Sequence, residues 1–160
     1  MEHGRAAQYY LELAAKNCPP REKRRQSSDV EPFIEAVWQL CQAEQWQEAY
    51  TLMEREGIFP TLKRTGGHAI LLELYQLLLV DAWQPTPSQK ARIYNNLGVV
   101  YRILWRMEQA LQHFEQALQI RRDIDRKGEG RTLKNLGAVY EILGQKEQAL
   151  KYYKQSLSSL

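Results

Sequence analysis

Tyr94-Asn95-Asn96-Leu97-Gly98-Val99-Val100-Tyr101 returns 39 residues later as Leu133-Lys134-Asn135-Leu136-Gly137-Ala138-Val139-Tyr140. Glu108-Gln109-Ala110-Leu111 returns at the same shift as Glu147-Gln148-Ala149-Leu150. Two matching runs at one period mark an internal repeat, a unit that buries its apolar face only against its neighbour. Leu, Ala, Gln, Glu, Lys and Arg dominate the chain and favour helix. A glycine inside such a helix costs about 1 kcal/mol relative to alanine. Gly98 and Gly137 therefore predict a close approach, expected from the partner helix that carries Ala110 or Ala149. Tyr101 and Tyr140 are expected to wedge against that helix, and Phe114 and Tyr153 to fill the groove toward the next hairpin. Gly144 permits a tight turn in the second repeat. Trp105 takes that place in the first, where the turn either differs or uses the indole as a lid.

The order Leu-Gly-x-x-Tyr, then Ala twelve residues after the glycine, then an aromatic four later, resembles the tetratricopeptide repeat. Residues 91–123 and 130–160 carry it. With Asp125-Arg126-Lys127-Gly128-Glu129-Gly130 between the units, the spacing resembles the longer, kinesin-light-chain-like version common in bacterial proteins. Ser156, where a small alanine is usual, departs from the pattern. The resemblance implies an all-α, right-handed α-solenoid of antiparallel helical hairpins and a role in binding other polypeptides.

Upstream, Ala6 to Lys16 reads as a helix with Ala7, Tyr10, Leu11 and Ala14 on one face. Asn17-Cys18-Pro19-Pro20 ends it, and Arg21 to Ser28 reads as a solvated polar linker. Ser28-Asp29-Val30-Glu31 has the spacing of a capping box. Phe33, Val37, Leu40 and Cys41 form an apolar stripe, Gln45 a turn, and Trp46 to Glu56 a second helix, which together predict a hairpin. Gly57 to Thr65 is irregular or a short helix, and Gly66-Gly67 punctuates it. His68 to Ala82 reads as a long helix, apolar on more than one face and buried between neighbours. Pro85-Thr86-Pro87 breaks the chain, and Thr86-Pro87-Ser88-Gln89 supplies a second capping box. The expected organisation is a divergent hairpin segment over 1–85 followed by two repeats within 86–160. Arg5 to Tyr10, Gly66-Gly67 and Leu71-Leu72-Glu73-Leu74-Tyr75 resemble the helical arm of bacterial signal-transduction NTPases. No phosphate-binding GxxxxGK[ST] loop is present, so that resemblance implies a sensor arm without its ATPase part.

Enzymatic chemistry finds no pattern. His3, His68 and His113 are scattered and outside any HExxH motif, no GxSxG elbow occurs, and the pair Asp123/Asp125 reads as solvated at a helix end. Catalytic residues, metal ligands and cofactors are not expected. Cys18 and Cys41 lack CxxC spacing and suit free thiols in a reducing cytosol. No signal core or membrane-length apolar run is present, so a cytoplasmic location is expected.

What the repeat offers is a surface. Net charge is +3, but residues 91–160 carry twelve basic and seven acidic side chains, which would attract an acidic partner in a salt-sensitive way. By the resemblance, the first helix of each hairpin lines a concave groove through Arg92, Asn95, Asn96, Val99 and Arg102, then Arg131, Lys134, Asn135, Ala138 and Glu141. Asparagine amides both donate and accept, which suits a peptide backbone, and arginines suit carboxylates. The alternative is that the asparagines bond within the solenoid and the arginines are merely solvated. Nucleic-acid binding through Arg21 to Arg25 and the basic C-terminal third is a lesser alternative, since no aromatics are interleaved in the Arg21 to Arg25 cluster. Leu143, Leu150, Leu157 and Leu160 are expected to be partly exposed, offering self-association or the place of a further repeat.

Overall fold

The computed structural model describes residues 2–159 and is built from helices, with no strand among them. In chain order these are α1 (Glu2–Asn17), α2 (Glu31–Gln42), α3 (Trp46–Arg55), α4 (Ile58–Thr65), α5 (His68–Leu78), α6 (Pro87–Ile103), α7 (Met107–Ile124), α8 (Arg126–Ile142) and α9 (Lys146–Ser158). They fall into two compact units, residues 1–84 and 85–160.

In the first unit α1 packs along α2, and α2 on α3. Ala7 and Ala14 are the buried residues of α1. At its start, His3 Nδ1 lies 2.7 Å from Gln39 Oε1. The segment between α1 and α2 is mostly exposed, as read, but it is ordered and Arg24 is not solvated. It holds two 3-10 turns, Arg21–Lys23 and Ser27–Val30. Between them Arg24 is only 3% exposed. Its guanidinium donates to Pro19 O (3.0 Å), Glu56 O (2.6 Å) and the Glu56 carboxylate (2.9 Å), and lies over the Phe33 ring. A buried charge is tolerable only when paired and hydrogen-bonded in this way.

Capping in this segment also differs from the sequence reading. Gln26 and Asp29, not Ser28 and Glu31, form the capping box, because the 3-10 turn precedes α2 and takes the cap for itself. α2 then starts without a side-chain cap, with proline in its first turn. The apolar stripe of α2 is as read: Phe33, Val37, Leu40 and Cys41 are buried. α5 stops at Leu78, four residues short of the expected end, as the backbone leaves helical angles at Leu79. The released segment lets Trp83 reach the Tyr50 ring, 6.2 Å between centroids. Leu71, Leu74, Tyr75 and Leu78 are buried, and the remaining leucines of α5 only half-buried.

The second unit is two hairpins in one register, since α6 shifted by 39 residues is α8. Thr86 caps α6 as read: its side chain accepts from Gln89 N (3.2 Å), while Gln89 Oε1 accepts from Thr86 N (3.0 Å). Asp125, read as solvated, instead caps α8 by accepting from Gly128 N (2.9 Å). The glycines do mark close approaches of the expected partner helices, which come in through a ring. A Cβ on Gly98 would come within 2.5 Å of the Phe114 ring, and one on Gly137 within 2.7 Å of the Tyr153 ring. Phe114 and Tyr153 thus lie on the glycine of their own hairpin, where a ring presents more surface than Ala110 or Ala149 could. Tyr101 meets His113 at 4.9 Å, and Tyr140 stacks on Tyr152 at 5.4 Å, which are equivalent pairs in the two hairpins.

The turns agree although their residues do not. Trp105 adopts φ +60° and Gly144 φ +77°. The next residue in each case, Arg106 or Gln145, donates its N–H to the carbonyl of Tyr101 or Tyr140. Trp105 neither changes the turn nor forms a lid, being 76% exposed.

Candidate protein-binding surface

The candidate residues lie on α6 and α8. The seam between these helices is built from polar side chains. Thr132 Oγ1 and Asn135 Nδ2 on α8 both donate to Asn95 Oδ1 on α6, each at 3.1 Å. Arg121 on α7, itself buried, donates to Thr132 Oγ1 (2.8 Å) and Gly128 O (3.3 Å). One chain of hydrogen bonds therefore runs from α7 through α8 to α6. Such networks fix register when every member is satisfied. Arg121 and Thr132 were not singled out from the sequence. Their signal was weak: a basic residue near a helix C-terminus suits the helix dipole, which gives no hint of burial.

The eight candidates divide by environment. Arg92, Arg131, Lys134 and Glu141 are exposed, Asn95, Arg102 and Asn135 half-buried, and Asn96 buried. The asparagines bond within the seam as the alternative reading held, yet only in part. Asn95 uses its carbonyl oxygen there and Asn135 its amide nitrogen. Each amide has a second polar atom that these bonds leave uncommitted. Arg102 carries a buried Nε with no hydrogen-bond partner. At the matching position of the second hairpin, Glu141 accepts from Tyr153 Oη at 2.7 Å. Burial, and then the Glu141 carboxylate, pushes the Tyr153 hydroxyl pKa above its ordinary value. Val99 is buried and Ala138 half-buried, so the apolar members of the row serve packing.

The basic cluster upstream is largely committed. Arg21 donates to Arg55 O, Arg24 to Pro19 O and Glu56, and Arg25 to Glu22 O. Cys18 and Cys41 are free thiols. Burial pushes the Cys41 thiol up to about 12, and Cys18 is raised by the same cause. Among the described residues no three His, Cys, Asp or Glu side chains could hold a metal ion together. No described helix is long and apolar enough to cross a membrane.

No curated protein matches the chain. Among solved structures, MamA (41 to its end) from Desulfovibrio magneticus RS-1 is similar over 96% of this chain and 94% of its own, at 16% identity and a TM-score of 0.53. A MamA structure from MSR-1 is similar over 98% and 91%, at 20% identity and a TM-score of 0.53. A Podosopora anserina chain described as a kinesin light chain with nearly identical TPR-like repeats aligns over 98% and 86%, at 15% identity and a TM-score of 0.52. Identities this low speak to fold alone, and the fold they share is the all-α solenoid of helical hairpins. They leave the NTPase-arm resemblance of residues 3–85 untested. The tetratricopeptide-repeat family profile matches residues 89–160, the segment in which the two glycine-and-ring hairpins stand in register.

Proposed function

We propose that the chain is a non-enzymatic protein-interaction module that takes an acidic peptide on the first-helix face of its repeats. The observation that carries this reading is the Asn95–Asn135 bridge. It fixes two amides side by side, each with a hydrogen-bonding atom to spare, and Arg92 and Arg131 stand exposed at equivalent positions beside them. A peptide backbone supplies both a donor and an acceptor to such a pair, and carboxylate side chains supply partners for the guanidinium groups. Arg102, with its buried Nε lacking an acceptor, is a third donor on α6. Leaving a buried donor unsatisfied costs about 1–3 kcal/mol, which a ligand oxygen would relieve.

The nucleic-acid reading has less support, because three of the upstream arginines are bound to main-chain carbonyls. The test is affinity capture from source-cell lysate with wild type and Arg92→Ala/Arg102→Ala, after circular dichroism shows equal helicity. Loss of a salt-sensitive protein partner in the variant is the expected result. A partner held equally by both proteins would move the site off the α6 face.

A further inference from the structure

We infer that the cleft between α2 and α5 is a binding site for an arginine-bearing segment of another polypeptide. The site lies wholly within the first unit and shares no residue with the α6 surface. It asks for a ligand of the opposite charge, and it holds whether or not that surface binds an acidic peptide.

The cleft has a volume of about 510 Å³, well inside the range of ligand pockets. Its walls are apolar, with Ile34 and Trp38 on α2 and Ile70 and Leu74 on α5. Glu31 and Glu35 of α2 and Glu73 of α5 line the same space. Glu31 and Glu73 are exposed and Glu35 is half-buried. Among the described residues, no hydrogen bond or ion pair engages these three carboxylates. Glu56, Asp125 and Glu141, by contrast, each accept from a donor of their own unit. Neither α2 nor α5 carries a lysine or an arginine. On α4, Lys63 lies over the Phe59 ring, and Arg64 donates to Arg24 O at 3.2 Å. Glu31 and Glu35 are also one helical turn apart, where like charges repel. Three uncompensated carboxylates therefore surround an apolar cleft, and a cation from outside is what completes it.

The walls narrow the cation to arginine. An arginine lays its aliphatic stem on apolar surface and keeps its charged end among polar groups. Its guanidinium stacks on an indole face and donates two parallel hydrogen bonds to one carboxylate. Glu35 and Trp38 are three residues apart on α2, close enough for both to act on one guanidinium. An edge-on contact with the His3 ring, 6.0 Å between centroids, braces Trp38. Lysine brings a point charge without the plane, and a free polyamine brings only charges of that kind. The exposed carboxylates of Glu31 and Glu73 are left for a second cation, so a segment with two basic residues fits better than a lone side chain.

The test titrates the full chain, followed by nitrogen–proton correlation NMR, with a short peptide of two arginines separated by alanines. The control peptide carries citrulline, the neutral isostere of arginine, at both places. The indole N–H of Trp38 and the amides of Glu35 and Glu73 are expected to shift saturably with the arginine peptide. The citrulline peptide is expected to bind about tenfold more weakly or worse, the scale of one charge-assisted pair. Glu35→Gln/Glu73→Gln should lose the arginine peptide to the same degree, with its signals outside the cleft unchanged as proof of folding. Trp38→Leu should remove the preference for arginine over a matching lysine peptide, added salt should weaken binding, and Arg92→Ala/Arg102→Ala should leave it intact. Equal binding of the arginine and citrulline peptides, an unchanged affinity in Glu35→Gln/Glu73→Gln, or no shift at these residues at the highest peptide concentration would overturn the inference. Spermidine shifting the same signals at a lower concentration than the peptide would assign the cleft to a free polyamine and also overturn it.

Discussion

The hairpin α6/α7 and the hairpin α8/α9 share a backbone but not an environment. Their first helices coincide after a shift of 39 residues, and their turns make the same hydrogen bonds. Yet Phe114 is wholly buried, while its counterpart Tyr153 is half-buried and sends its hydroxyl to Glu141. Ile142, Leu143, Leu150 and Leu157, all in the second hairpin, are exposed. The sequence expected Leu143, Leu150 and Leu157 to be so, while Leu160 lies outside the described residues. A few positions therefore fix the hairpin: a glycine under a ring, a small residue at 110 or 149, and a left-handed turn. Whether its faces are buried depends on what packs next, as in any repeat stabilised by its neighbours.

If that distinction holds, equivalent substitutions should cost unequal amounts. Phe114→Ala is expected to destabilise by about 3–5 kcal/mol, the range for emptying a buried ring site, and Tyr153→Ala by about 1 kcal/mol; chemical denaturation measures both. Equal losses would break the comparison. A methyl group on each glycine separates the hairpins next. Gly98→Ala should cost about 1–3 kcal/mol through overpacking against Phe114. Gly137→Ala should cost less than about 1 kcal/mol, because the Tyr153 ring can swing outward and the helix gains from alanine.

The turns give a smaller effect of opposite sign. Trp105 holds a left-handed conformation that only glycine adopts freely, so Trp105→Gly should stabilise by about 1 kcal/mol and Gly144→Ala should destabilise by a similar amount. The smallest effect is one of pH. Tyr152 and Tyr153, both in the second hairpin, titrate above the ordinary tyrosine value: burial comes first in each, then Glu115 beside Tyr152 and Glu141 beside Tyr153. A folded-state pKa above the unfolded one gives stability that is full below the unfolded value of about 10 and is lost as pH rises past it. Tyrosinate absorbance should therefore rise late for these two rings, and Glu141→Gln should bring Tyr153 part of the way back.

Repetition made the fold legible, for the glycines, rings and alanines announce their spacing without a structure. The third turn of this kind was read at Gln45, but its left-handed residue was hidden. Glu44 sits at φ +60° between α2 and α3, and Gln45 N donates to Leu40 O as Arg106 and Gln145 do to their tyrosines. Only glycine advertises a left-handed residue, so Glu44 and Trp105 gave no sign of theirs. Arg24 looked like one more solvated cation, because burial by distant carbonyls at Pro19 and Glu56 leaves no local pattern. Ser28 had the right spacing for a cap but lost it to Gln26 and Asp29, since a 3-10 turn moved the boundary. At the candidate surface, residue type was legible and pairing was not. Asn135 was read as the counterpart of Asn96, which it is by register. Its hydrogen bond goes instead to Asn95, because the helices cross between repeats.

Amide hydrogen exchange on the free protein tests most directly whether the two hairpins differ as described. The account predicts that amides in the middle of α9 exchange through openings of lower free energy than those of α7, though the two helices share a repeat pattern and register. Equal protection of α7 and α9 in the free protein would contradict it.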